Sequence, residues 1–149
     1  MPYTLQEQRD KFLPYLFLLP PMQDNMLVDV FVCIALRYIN PNHGYTFPLW
    51  SLDRKIIESL PKMDKGDMNY VITWLTHKAV IDRGLRYTNL NDLVDNFDHA
   101  SKMFVSLCGN NKAVEGMFRC AQLEFYRTVV APYEDKKKEE NGPVSELGS

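Results

Sequence analysis

From Asp24 to Tyr38 the chain places Leu27, Val30, Phe31, Ile34, Ala35 and Tyr38 at the spacing of one helical face, and Val28, Val32 and Cys33 widen the stripe around the sides. A helix that is apolar over so much of its circumference has to be enclosed by other elements, which makes it the centre of whatever the chain folds into. The remaining sequence supplies those elements in the same period. Met68, Val71, Ile72, Leu75 and Ala79 form one face of a helix that follows Gly66-Asp67 and ends near Asp82-Arg83-Gly84, where the glycine suits a left-handed cap. Leu90, Leu93, Val94, Phe97, Ala100, Phe104 and Val105 form another face behind a cap at Thr88 or Asn89. Gly109-Asn110-Asn111 closes that helix and opens the last long one, with the stripe Val114, Phe118, Ala121, Phe125 and Val129 and an interruption at Pro132. No alternating stretch competes for strand. The expected class is all-α, a compact bundle of about five to seven short helices.

Local punctuation agrees with this. Thr4-Leu5-Gln6-Glu7 is a capping-box pattern at the start of a first helix, in which Pro14 is expected to kink or end the run and Pro20-Pro21 to stop it. Asn40-Pro41-Asn42-His43-Gly44 reads as a turn leading into an irregular loop up to Trp50, and Ser51 to Leu60 as a short helix ended by Pro61. Residues 1–142 are expected to form a single helical domain and 143–149 a flexible tail.

A chain of 149 residues can bury a core without disulfides or a structural metal, and no cofactor is called for. The net charge of -2 lacks the cationic excess of a generic nucleic-acid binder. The longest apolar stretches, Phe12 to Met22 and Met26 to Ile39, fall short of the roughly 20 residues a bilayer crossing needs. Met1-Pro2-Tyr3-Thr4 has no secretory pattern, so a cytoplasmic location is expected. Cys33, Cys108 and Cys120, odd in number and set among apolar neighbours, read as reduced, buried thiols.

The densest polar cluster follows the last apolar stripe: Glu124, Tyr126, Arg127, Tyr133, Glu134, Asp135 and Lys136. One reading is a solvated helix end in which Glu124 and Arg127, three residues apart, form a weak surface pair. The sharper reading is an anion or nucleotide pocket, with Arg127 gripping a phosphate bidentately and Tyr126 or Tyr133 stacking on a base. Lys136, Lys137 and Lys138 would add charge, or simply form a solvated end with the glutamates after them. Asn69 and Tyr70 sit near a helix start, where free amides favour anions, although Asp67 acting as the cap and Tyr70 completing the core account for the same residues. Asp92, Asp95 and Asp98 share an acidic face that would hold a divalent cation only with a second carboxylate helix opposite. His43, His77 and His99 are not at metal-ligand spacing, and no nucleophile elbow or glycine-rich phosphate loop is present, so no catalytic residue is assigned.

The blocks Met1-Pro2-Tyr3, Gly66-Asp67-Met68-Asn69-Tyr70-Val71-Ile72-Thr73, Ala113-Val114-Glu115-Gly116-Met117 and Cys120-Ala121-Gln122-Leu123-Glu124-Phe125-Tyr126-Arg127 through Asn141-Gly142 resemble an uncharacterised family of small proteins encoded by phages and prophages. The likeness lies in residues 1–21, 65–89 and 112–142; residues 22–64 and 90–111 read as additions to a shorter family core. It implies a phage setting, hence the host-cell cytoplasm, and a helical core, but no reaction. The expected function is a non-enzymatic accessory protein that binds a host or phage protein and interferes with a host process. Self-association is expected from short amphipathic helices rich in Met, Phe and Leu. The alternatives are nucleotide sequestration, a metal-dependent nucleotide hydrolase using the aspartate face, and a minor virion component.

Overall fold

The computed structural model describes residues 6–21, 24–39, 51–85 and 88–142. Within them run α1 (Gln6–Leu16), α2 (Asp24–Ile39), α3 (Ser51–Ser59), α4 (Lys65–Arg83), α5 (Leu90–Cys108), α6 (Lys112–Phe125), a π-helical turn (Tyr126–Val130) and α7 (Ala131–Asn141). No strand occurs among the described residues, and the protein is an all-α bundle as its periodicity predicts. The expected cap at Thr4, the loop from Asn40 to Trp50, His43 and the tail at 143–149 lie outside the described residues.

Four helices form a ring. α2 packs beside α5 and α4, and α6 closes the ring by packing against the same two. The apolar faces read from the sequence meet inside it: Phe31, Leu75, Phe97, Phe104, Phe118 and Phe125 are all buried. α2 and α6 stand across the ring from each other, and the space between them is filled by rings. Phe31 lies 5.3 Å from Phe97 and 6.3 Å from Phe118, and Phe97 lies 6.2 Å from Phe125, each in a tilted geometry typical of aromatic pairs. α1 and α3 attach at the edge, α1 against α4 and α3, and α3 also against α2. The Arg37 guanidinium of α2 donates to the Leu60 carbonyl at 2.7 Å and thereby closes the end of α3. Burial lowers the pKa of Arg37, an effect that Glu58 opposes.

The helix ends show where side-chain chemistry differs from the sequence expectation. Asp64 caps α4: its carboxylate accepts from the Asp67 amide at 2.8 Å, and the Asp67 carboxylate returns the bond to the Asp64 amide at 3.1 Å. Asp67 is thus the third-residue half of a capping box and not the cap itself. Gly84 and Gly109 have φ of 89° and 80°, positive as glycine allows, but with extended ψ, so neither is a left-handed helical cap. Asn89 caps α5 through the Asp92 amide at 3.2 Å, whereas the Thr88 hydroxyl donates back to Gly84. Asn111 caps α6 through the Val114 amide. Pro14 is accommodated in the last turn of α1, which ends at Leu16 ahead of the double proline.

Pro132 does not break the final helix as expected. The Ala131 amide donates to the Tyr126 carbonyl, five residues back, and the wider turn carries the helix past the proline into α7. α7 contains no buried residue and extends beyond the core, although Tyr133 still rests against it. The cysteines also divide differently from expectation: Cys33 is buried, but Cys108 and Cys120 are exposed, because they fall off the apolar faces of α5 and α6.

Phe97→Ala, which removes the ring shared by Phe31 and Phe125, is expected to cost about 3–5 kcal/mol in urea unfolding. Asn89→Ala is expected to cost about 1 kcal/mol, the ordinary value of a helix cap.

Candidate functional site

The polar cluster after the last apolar stripe is brought together by the π-turn, and its groups largely satisfy one another. The Arg127 guanidinium donates to Glu124, and the Tyr126 hydroxyl donates to Glu134 at 3.1 Å. That bond and the Glu134 charge raise the pKa of the Tyr126 phenol. The Lys137 ammonium stands over the Tyr133 ring, 5.6 Å from its centroid, and also contacts Glu140. Glu134, Asp135 and Lys136 are exposed on α7. The pairing of Glu124 with Arg127 is the surface ion pair expected of residues three apart, with the arginine end largely in solvent.

Asn69 and Tyr70 are not part of this cluster. Both lie on α4 about two turns before His77, the residue whose ring meets Phe125 at 6.4 Å. Asn69 is buried and accepts from the Thr73 hydroxyl at 3.3 Å. Tyr70 packs under the Arg9 guanidinium of α1, 5.2 Å from its ring centroid, and burial raises its pKa. Asp92, Asp95 and Asp98 are all exposed on α5, and no group of three or more His, Cys, Asp or Glu among the described residues is placed to hold a metal ion.

The most concave apolar feature lies elsewhere, between the end of α1 and the outer face of α4. Phe17, Trp74, His77, Lys78 and Ile81 line a pocket of about 420 Å³, within the usual size range of binding pockets. Trp74, His77, Lys78 and Ile81 recur at i, i+3, i+4 and i+7, a second face of α4 beside its buried stripe. Phe17 reaches this face because the chain tightens after α1: the amides of Phe17, Leu18 and Leu19 donate to Leu13, Tyr15 and Leu16. Its ring then meets Trp74 edge-on at 5.7 Å. Phe17, Leu18 and Ile81 remain 70%, 65% and 77% exposed. Sequence reading missed these residues because the strong stripe of α4 drew attention to its inner side. The available signal was a tryptophan and an isoleucine at helical spacing on the opposite side.

His77 forms the inner wall of the pocket. Its Nε2 is buried and makes no hydrogen bond, and burial lowers its pKa from the ordinary 6.5, with the nearby Glu124 carboxylate opposing the shift. Lys78 pairs with Asp82 at 2.6 Å along the rim. The pocket is therefore an apolar slot with an imidazole inside and an ion pair beside it, suited to receiving an apolar side chain. It contains no nucleophile or paired carboxylates.

An all-helical bundle with such a surface slot is consistent with many binding roles, and family comparison places it without naming one. The chain belongs to the family described as Domain of unknown function (DUF6899), whose model matches residues 1–106 and 108–144. Comparison with curated proteins and with solved structures gave no match. No helix among the described residues is long and apolar enough to cross a membrane.

The depressed pKa of His77 makes a signed prediction. Near and below pH 6.5 the unfolded chain takes up a proton that folded His77 resists, so stability is expected to fall as the pH drops through that value toward the lower folded pKa. Urea unfolding between pH 7.5 and 5 should show this slope, and His77→Phe should flatten it; an unchanged slope would assign it to other groups.

Proposed function

We propose that this protein acts without catalysis, by binding a protein partner through the apolar slot between α1 and α4. The observation that carries this reading is the placement of Phe17, Leu18 and Ile81, large apolar side chains left mostly in water around a pocket walled by Trp74. Exposed apolar residues in one contiguous patch mark interaction surfaces more often than scattered ones do. Tryptophan and its surroundings are typical anchors of such surfaces. The partner fitted to this slot presents an apolar side chain from a helix or extended segment, with the Lys78–Asp82 pair contributing a polar rim. The resemblance of the terminal and central sequence blocks to phage and prophage proteins supports a phage setting, in which the partner is a host or phage protein in the cytoplasm.

Self-association through the same patch is the second reading, since a symmetric copy can cover it as well as a foreign chain. Nucleotide capture by the polar cluster is less supported, because Arg127, Tyr126 and Tyr133 already engage Glu124, Glu134 and Lys137.

The test uses substitutions that the fold tolerates. Phe17→Glu and Ile81→Glu lie at exposed positions and are expected to change stability by less than about 0.5 kcal/mol. A photo-crosslinking residue placed at Lys78 is expected to capture one stoichiometric partner, with capture reduced at least about tenfold by either glutamate. The same variants in sedimentation analysis separate a foreign partner from a second copy. Capture that is insensitive to both substitutions, with a monomer at all concentrations, would remove this surface from consideration.

A further inference from the structure

A second concavity, of about 700 Å³, lies where the end of α2, the α3–α4 connection and the first turn of α4 meet the start of α6. Tyr38 and Met63 give it apolar walls, Lys62 and Lys65 stand exposed at its rim, and Asp64, Asp67 and Asn111 complete it. Its size lies in the range of small-molecule sites. Asp67 is its unusual member. Only 4% of the residue is exposed, and while one carboxylate oxygen accepts from the Asp64 amide, the other, Oδ1, is buried with no hydrogen-bond partner.

A carboxylate oxygen taken out of water without a donor costs free energy. Burial accordingly raises the pKa of Asp67, the Asp64 charge adds to the shift, and both the Asp64 amide and the Lys11 charge oppose it. The rim has the opposite need. Lys62 and Lys65 sit beside the first turn of α4, whose free amides and dipole favour negative charge. A bare anion entering here meets the carboxylates of Asp64 and Asp67, and a bare cation meets two lysines. Both needs are met by one molecule that has a hydrogen-bond donor at one end and an anion at the other, with a flat middle that the walls of Tyr38 and Met63 accommodate.

We infer that this cavity binds a nucleotide-like small molecule, its ring N–H or amino group donating to Asp67 Oδ1 and its phosphate held by Lys62 and Lys65. Neither the apolar slot nor the polar cluster of α6 and α7 takes part, so the inference stands apart from the protein-binding role.

Calorimetric titration of the full chain with adenosine and guanosine monophosphates tests it, with orthophosphate and ribose 5-phosphate as ligands that lack the base. At least one nucleotide is expected to bind at least about tenfold more tightly than either control, because a buried acceptor discriminates strongly against molecules without its donor. Asp67→Asn keeps an oxygen for the Asp64 amide but turns an N–H group toward the ligand donor, and is expected to weaken nucleotide binding at least about tenfold while leaving the thermal midpoint near that of the parent. Lys62→Ala combined with Lys65→Ala, at exposed positions, is expected to weaken it comparably and provides the second arm should Asp67→Asn fail to fold. No binding by either nucleotide, binding no tighter than orthophosphate, or an affinity unchanged in the folded variants would overturn the inference.

Discussion

The aromatic contacts among Phe31, Phe97, Phe118 and Phe125 are what the rest of the bundle depends on. They come from three different helices and occupy the middle of a four-helix ring whose diagonal pair, α2 and α6, would otherwise face each other across empty space. Large rings fill such a centre with few residues, and each buries an area that no aliphatic side chain matches. The position of α4 is fixed by the same set, because His77 of α4 meets Phe125 directly. Once α4 is held with Met68, Val71, Ile72, Leu75 and Ala79 inward, helical geometry leaves Trp74 and Ile81 on its outer side. The apolar slot is therefore a consequence of how the core orients one helix, together with where α1 ends.

How much of this the sequence reveals depends on the range of the interaction. The buried faces of α2, α4, α5 and α6 are legible because each is a repeat within one helix, and the structure buries the residues that the repeat marks, with Val94, Val105 and Val129 at its partly covered margins. Cap assignment is harder. Asp64 and Asp67 are both credible caps by residue type, and only the backbone conformation of Asp64, extended at ψ -176°, decides between them. The cysteines illustrate another limit. Apolar neighbours in sequence do not share a helix face, so Cys120 beside Ala121 points outward while Ala121 is buried. The pocket itself is a non-local object. It needs Phe17 to meet Trp74 across 57 positions of chain, and no periodicity reports that encounter. Pro132 misleads for a different reason: a proline forbids a regular α-turn, but a single wider turn relieves the conflict without ending the helix.

The polar and apolar candidate surfaces differ in what remains unsatisfied. Around the π-turn, charges find partners within three to eight residues, Arg127 with Glu124 and Tyr126 with Glu134. Exposed pairs of this kind contribute only a few tenths of a kcal/mol each, and a ligand would have to displace them before gaining its own contacts. At the slot, Phe17 and Ile81 have given up nothing to the fold and remain in contact with water. Covering them releases the hydrophobic free energy of their exposed area, about 25 cal/mol per Å², with little to break first. Binding energy is therefore more readily gained at the slot than at the cluster whose composition first suggested a site.

The same slot sits on the least enclosed part of the ring's periphery. α1 contributes only Phe12 and Leu16 to the core from within the helix, with Leu19 just beyond it, whereas α4 contributes along its whole length. An element held by so few buried side chains opens more readily than the ring it leans on. Phe17 belongs to the end of α1 and Trp74 to α4, so the pocket exists only while α1 is docked. A partner seated on both favours the docked state in proportion to its occupancy, and its affinity is in turn reduced by whatever fraction of molecules have α1 undocked. The docking of α1 through Phe12, Leu16 and Leu19 is in this way coupled to the proposed binding face, although none of the three lines the pocket.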